Sequence, residues 1–265
     1  MSTPVKHLLG VQEHCEQLSL LLSELWTYDP VTYSKDGETL EFNDAAEWLD
    51  VAASIQKVEM LTGGEDVYYC ESVMDYENAR SVLLSLVATQ LTIFQFTWGA
   101  FESVAKIIGP PPVPGKGGDG LINRTIWLIK SVRLLAAYDE TLSEVGCLLK
   151  GNTEYRKHFR SGTLPQYMGR SGVGIDFVRK VRNKFAHGSA RLGMPENGYN
   201  GWSGNKPRDP ELIARCCRIV LLTIQMLLEV YYEGKEFNVK VLKDEDGLRF
   251  EADVQRVISE LHYKF

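Results

Sequence analysis

No two cysteines of this chain stand at C-x-x-C spacing, and the five present (Cys15, Cys70, Cys147, Cys216, Cys217) leave one over from any pairing. That excludes a disulfide framework and points to reduced thiols in a cytoplasmic protein. The five histidines (His7, His14, His158, His187, His262) do not fall into ligand spacing with those cysteines, so no zinc site is expected. The first residues, MSTPVKHLLGVQEHCEQ, lack a basic start followed by an apolar run, so no signal peptide is expected. No repeat or low-complexity segment is visible, and 265 residues suit one large domain or a core domain with appendages.

Charge is absent from residues 81–101, a stretch long enough to span a bilayer. It contains Ser81, Ser85, Thr89, Gln90, Thr92, Gln95 and Thr97, which are costly in lipid but tolerable inside a helical protein. A buried central helix with no membrane partner is therefore expected. Gly115-Lys116-Gly117 has the look of a phosphate loop, but no Ser or Thr follows the lysine. The prolines before it lack the N–H groups that would cradle phosphate, so it reads as a loop after a helix stop. A net charge of −6 argues against a surface coated by nucleic acid and leaves room for a local basic site.

Apolar residues make up 44% of the chain, enough for a sizeable core. Periodicity predicts a helix over 5–27, then a hairpin from Val31 to Phe42 around Lys35-Asp36-Gly37. A second helix is expected from Asn43 to about Leu61, stopping at Gly63-Gly64, then a strand-like piece, Asp66 to Cys70. A long helix runs from near Glu77 to Ile108, another covers about 119–150, and residues 152–173 read as irregular or short-helical. The helix 174–187 follows, then a glycine-rich loop from Ser189 to Asp209, long enough to be functional. Pro210 starts an apolar helix to about Tyr232. A hairpin (237–242 with 248–250) and a short helix (252–264) close the chain.

The stretch Val178-Arg179-Lys180-Val181-Arg182-Asn183-Lys184-Phe185-Ala186-His187-Gly188 carries the chemistry. On a wheel at about 100° per residue, Ile175, Phe177, Val178, Val181, Phe185 and Ala186 share a broad apolar sector. Asp176, Lys180, Asn183, Lys184 and His187 lie outside it, whereas Arg182 falls inside, between Val178 and Ala186. An arginine there needs a carboxylate, carbonyls, a phosphate or water. Glu102, the one acid in the later half of the long helix, is its best protein partner. Asn183 and His187 are four apart and share a face, and Gly188 suits the left-handed position after a helix. Residues 150–191 carry ten basic and two acidic side chains, and the rest of the chain is net −14. A basic segment in an acidic protein is an anion-binding footprint. A solvated basic face accounts for the same count.

The run Val181-Arg182-Asn183-Lys184-Phe185-Ala186-His187-Gly188 resembles the R-x4–6-H signature of HEPN domains, including the polar residue after the arginine. Trp98-Gly99-Ala100-Phe101-Glu102 on the preceding long helix also fits that pattern. The resemblance implies a mainly α fold, a HEPN-like helical bundle over residues 76–235. Residues 1–75 are expected as a helical extension with a small hairpin, and 236–265 as a hairpin and helix appendage. It implies a homodimer in which both subunits bring arginine and histidine to one cleft. It further implies a metal-independent endoribonuclease, with no cofactor, acting in the cytoplasm in antiviral defence or as a toxin. RNA is then the substrate, 2′,3′-cyclic phosphate ends the product, and an antitoxin or regulatory protein a further partner. Carried over residue by residue, Arg182 and His187 match the catalytic pair, with Asn183 and Glu102 in support. Arg179, Lys180, Lys184 and Arg191 are the expected RNA contacts. A non-catalytic module binding nucleotide, nucleic acid or a partner protein is the alternative.

Overall fold

The computed structural model describes residues 7–35, 38–60, 71–115, 120–151, 153–157, 159, 164–190, 209–241 and 248–264. The expected strand at 66–70, the turn at 36–37 and most of the loop at 189–209 lie outside them. The protein is mainly helical, with two small antiparallel two-stranded sheets.

Helix α1 spans Val11–Tyr28, starting six residues later than its apolar periodicity suggests. The residues before it join the other end of the chain. Leu8 bridges to Tyr263, and Leu9 N–H donates to the His262 carbonyl at 3.0 Å. Glu13 caps α1 by accepting from Gly10 N–H at 2.7 Å. Strands β1 (Thr32–Lys35) and β2 (Glu38–Glu41) form the expected hairpin. Helix α2 spans Phe42–Ser54, with Asp44 accepting from Glu41 N–H at 2.7 Å.

Helix α2 ends well before Leu61, because residues 55–60 find their hydrogen bonds elsewhere. Helix α3 (Glu71–Ile108) offers Ser81, Ser85 and Thr89 along one face, at the i, i+4, i+8 spacing of adjacent turns. Val58 N–H donates to Thr89 Oγ1 at 2.9 Å and Met60 N–H to Ser85 Oγ at 3.1 Å. Ser81 Oγ donates to the Met60 carbonyl at 3.3 Å. These side chains thus serve a strap of backbone laid along α3. By length and composition α3 could cross a membrane. Here it packs between α2 and the late apolar helix at Asp209–Tyr231, and it stops at Gly109, where φ is +63°.

The predicted helix over 119–150 is two helices. Helix α4 (Leu121–Leu128) tightens into a 3-10 turn at Ile129–Ser131, and α5 (Ala136–Leu148) starts after an extended break at Val132 and Leu135. A tertiary donor holds the break: Ser171 Oγ donates to the Ile129 carbonyl at 2.7 Å. Short α6 (Thr153–Arg156) precedes α7 (Arg170–Ala186). Helix α8 (Asp209–Tyr231) is apolar around most of its surface and packs on α3, α5 and α7. The tail pairs β3 (Asn238–Val239) antiparallel with β4 (Ala252–Asp253). Asp253 then caps α9 (Val254–Glu260) through Gln255 and Arg256 N–H.

One hydrophobic cluster runs through all of these helices, from Cys15 to Leu261. Beside it lies a buried polar chain joining α1, α8 and the turn after α9. Arg218 donates to His14 Nδ1 at 3.2 Å and to the Leu9 carbonyl. His14 is thereby fixed as the Nε2–H tautomer, which donates to Gln225 Oε1 at 2.7 Å. The Gln225 amide N–H groups go to the Ile258 carbonyl and His262 Nδ1. A connected buried network of this kind fixes register, because each broken link leaves a dry polar group.

Candidate functional site

Helix α7 begins four residues before the expected start, and its amino-terminal half is wedged into the core. A Cβ on Gly172 would lie 2.6 Å from Ile126 of α4, and one on Gly174 would collide with the Tyr138 hydroxyl and Ile219. Two glycines within a helix cost about 1 kcal/mol each against alanine, which the close approach of α4, α5 and α8 offsets. Tyr138 Oη donates to the Ser171 carbonyl at 2.5 Å and pins that end.

Burial along α7 falls from one end to the other and does not follow the wheel. Every residue from Ser171 to Val178 is buried, those from Arg182 to Phe185 are half-buried, and Ala186, His187 and Gly188 are exposed. Asp176, on the polar side of the wheel, is only 2% exposed. Its oxygens accept from Arg179 at 2.6 Å and Lys180 at 2.7 Å. Burial pushes the Asp176 carboxyl up, but hydrogen bonds and charge from Lys180 and Arg179 outweigh it and hold the pKa below the ordinary value. Two of the expected RNA contacts therefore share one carboxylate. The i, i+3, i+4 spacing of Asp176, Arg179 and Lys180 is the sequence signal for this clamp.

Arg182 differs. The ion pair expected with Glu102 is not made. Its guanidinium carbon lies 5.9 Å from the centroid of the Trp98 ring, within the range of a cation–π contact. Trp98 Nε1 donates to Glu102 Oε1 at 2.7 Å, so arginine and glutamate meet the same indole. Arg182 Nε is buried without a hydrogen-bond partner, and no described carboxylate pairs with the guanidinium. Elsewhere on α7, Arg170 Nε donates to Asp139 at 2.7 Å, Arg179 and Lys180 hold Asp176, and Lys184 lies 5.3 Å from the Tyr155 ring centroid. Arg191 lies outside the described residues.

His187 closes the helix, with φ −95° and ψ 10°, and its N–H donates to the Asn183 carbonyl at 3.0 Å. Gly188 follows at φ +63°, and Ser189 and Ala190 N–H both reach the Lys184 carbonyl, at 2.9 and 3.2 Å. The imidazole is exposed and Asn183 half-buried on the same last turn. Arg182 and His187 do not touch, in keeping with the roughly 140° between positions five apart on a helix. The site on one chain is thus a half-buried guanidinium with no carboxylate partner among the described residues, beside a helix end that exposes an imidazole. No model of a known protein family, no curated protein and no solved structure matches this chain.

Proposed function

We propose that this protein is a metal-independent endoribonuclease of the HEPN type, a cytoplasmic homodimer acting in antiviral defence or as a toxin. The observation that carries this reading is Arg182. It is half-buried, its Nε is buried without a hydrogen-bond partner, and no described carboxylate pairs with it, whereas Arg170, Arg179 and Lys180 are each held by a carboxylate. Such a guanidinium favours an anion, and a phosphodiester offers the planar pair of oxygens it binds best.

The chemistry follows from the neighbouring residues. One exposed His187 imidazole takes the proton of an RNA 2′-OH, and that oxygen attacks the adjacent phosphorus. The His187 of a second subunit returns a proton to the leaving 5′-oxygen, so the products are a 2′,3′-cyclic phosphate and a 5′-hydroxyl. Imidazole is suited to both tasks near neutral pH. The two arginines hold the phosphoryl oxygens as charge builds on them. Separation of Arg182 from His187 within one chain supports a composite site, since a second copy supplies what one helix end cannot aim. DNA, lacking the 2′-OH, would be inert.

Purified protein incubated with labelled single-stranded RNA and tRNA in EDTA tests this. Cleavage that persists under chelation and vanishes in both Arg182→Ala and His187→Ala is the expected result. Equal cleavage by both variants would refute it, and RNA or nucleotide binding without cleavage would identify a non-catalytic module instead.

A further inference from the structure

The reason Arg182 stays unpaired points to a residue outside the motif. A carboxylate, Glu102, belongs to the same cluster, yet it accepts from the Trp98 indole. Trp98 is 2% exposed and packs edge-on against Phe94, with ring centroids 6.2 Å apart, and in a tilted contact against Phe101, at 5.2 Å. Its ring is therefore locked by packing, and its one polar atom is locked by Glu102. Arg182 lies over the remaining face. A cation held by a ring face keeps its in-plane N–H groups for another ligand, whereas a bidentate carboxylate would consume them.

We propose that Trp98 is a positioning residue for Arg182. Its indole face holds the guanidinium, and its N–H diverts Glu102, so that the arginine is aimed and left open for a phosphate. This inference rests on the ribonuclease reading, because it needs RNA phosphate as the anion. It assigns Glu102 no proton to move and no contact with substrate. Glu102 acts only as the acceptor that fixes the ring.

The test is a double-mutant cycle read by binding of a short, fluorescein-labelled, 2′-O-methylated RNA, which this mechanism cannot cut. Arg182→Met, Trp98→Leu and the double variant are titrated as full-length protein. Trp98→Leu is expected to weaken binding roughly fivefold or more in the parent and not at all in the Arg182→Met background, with Trp98→Phe, which keeps a ring face, restoring most of it. Equal weakening in both backgrounds means that Trp98 only supports the fold, and overturns the inference while leaving the ribonuclease reading intact. Should Trp98→Leu fail to fold, Glu102→Leu replaces it in the same cycle, and the same dependence on Arg182 is expected. A folded parent that binds no probe overturns the ribonuclease reading and this inference together.

Discussion

Arg182 lies over the face of Trp98, with its guanidinium carbon 5.9 Å from the ring centroid, and forms no pair with Glu102. An apolar sector that contains an arginine ordinarily signals a buried ion pair, and a carboxylate is close by in the fold. The indole takes both, leaving a cation at the boundary between core and surface. Around it, α7 has a rigid amino end and an exposed carboxyl end, an arrangement suited to holding a reactive group against a partner or substrate.

The rigidity of that amino end is open to measurement. Gly174→Ala places a methyl group against Tyr138 Oη and Ile219, and should lower unfolding free energy by about 1–3 kcal/mol. Gly146, in α5, has nothing within 4 Å of a built Cβ. Gly146→Ala should raise stability by about 0.5–1 kcal/mol. Urea denaturation of the two variants decides: if Gly174→Ala leaves stability unchanged or raises it as Gly146→Ala should, α7 is not wedged as described.

Stability should also fall with acid in two separate windows. Burial, then the charge of Arg218, then His262 pull the His14 pKa well below 6.5. Below about pH 6.5 the unfolded chain binds a proton there that the folded chain refuses, so stability is full above that pH and declines beneath it, by up to about 1.4 kcal/mol per pH unit. Asp176 acts lower, since its folded pKa lies below 3.8 and its contribution is lost only as pH falls through that value. Urea midpoints between about pH 7.5 and 5 should drop in the parent and less steeply in His14→Gln. The same slope in both would contradict the buried neutral imidazole.

On the ribonuclease reading, Asp176 also sets how much charge α7 offers to RNA. Arg179 and Lys180 both bond it, so the three residues together carry one net positive charge. Asp176→Asn should steepen the dependence of RNA affinity on salt, raising the slope of log K against log salt concentration by about 0.7, the single-strand value for one more phosphate. An unchanged slope would place Arg179 and Lys180 away from the RNA path.

How much of this was legible in the sequence depends on which force decided each element. The long helices α3 and α8, the hairpin β1–β2 and the emergence of α7 at Gly188 follow from periodicity, turn residues and a left-handed glycine. The break between α4 and α5 was hidden, because Ser171, some forty positions away, takes the Ile129 carbonyl. The early end of α2 was hidden likewise, since the strap at 55–60 is satisfied by Thr89 and Ser85 of α3. At the site, Arg182 was visible as a misfit on the wheel. Its partner was not, because wheel geometry counts carboxylates and overlooks a ring face. Asp176 lies outside the apolar sector and is nevertheless buried, because a wheel describes a side of a helix and says nothing of depth along it.

Under the proposed function, Arg182 and His187 drive cleavage by the RNA's own 2′-OH without metal. The decisive measurement maps a cut in labelled RNA under EDTA and then repeats the reaction on the same oligonucleotide with a single 2′-deoxy substitution at the cut nucleotide. The expected result is a 2′,3′-cyclic phosphate end on the first substrate, no cut at that position on the second, and no cut on either by His187→Ala. Cleavage of the deoxy-substituted position, or ends bearing a 5′-phosphate, would contradict it.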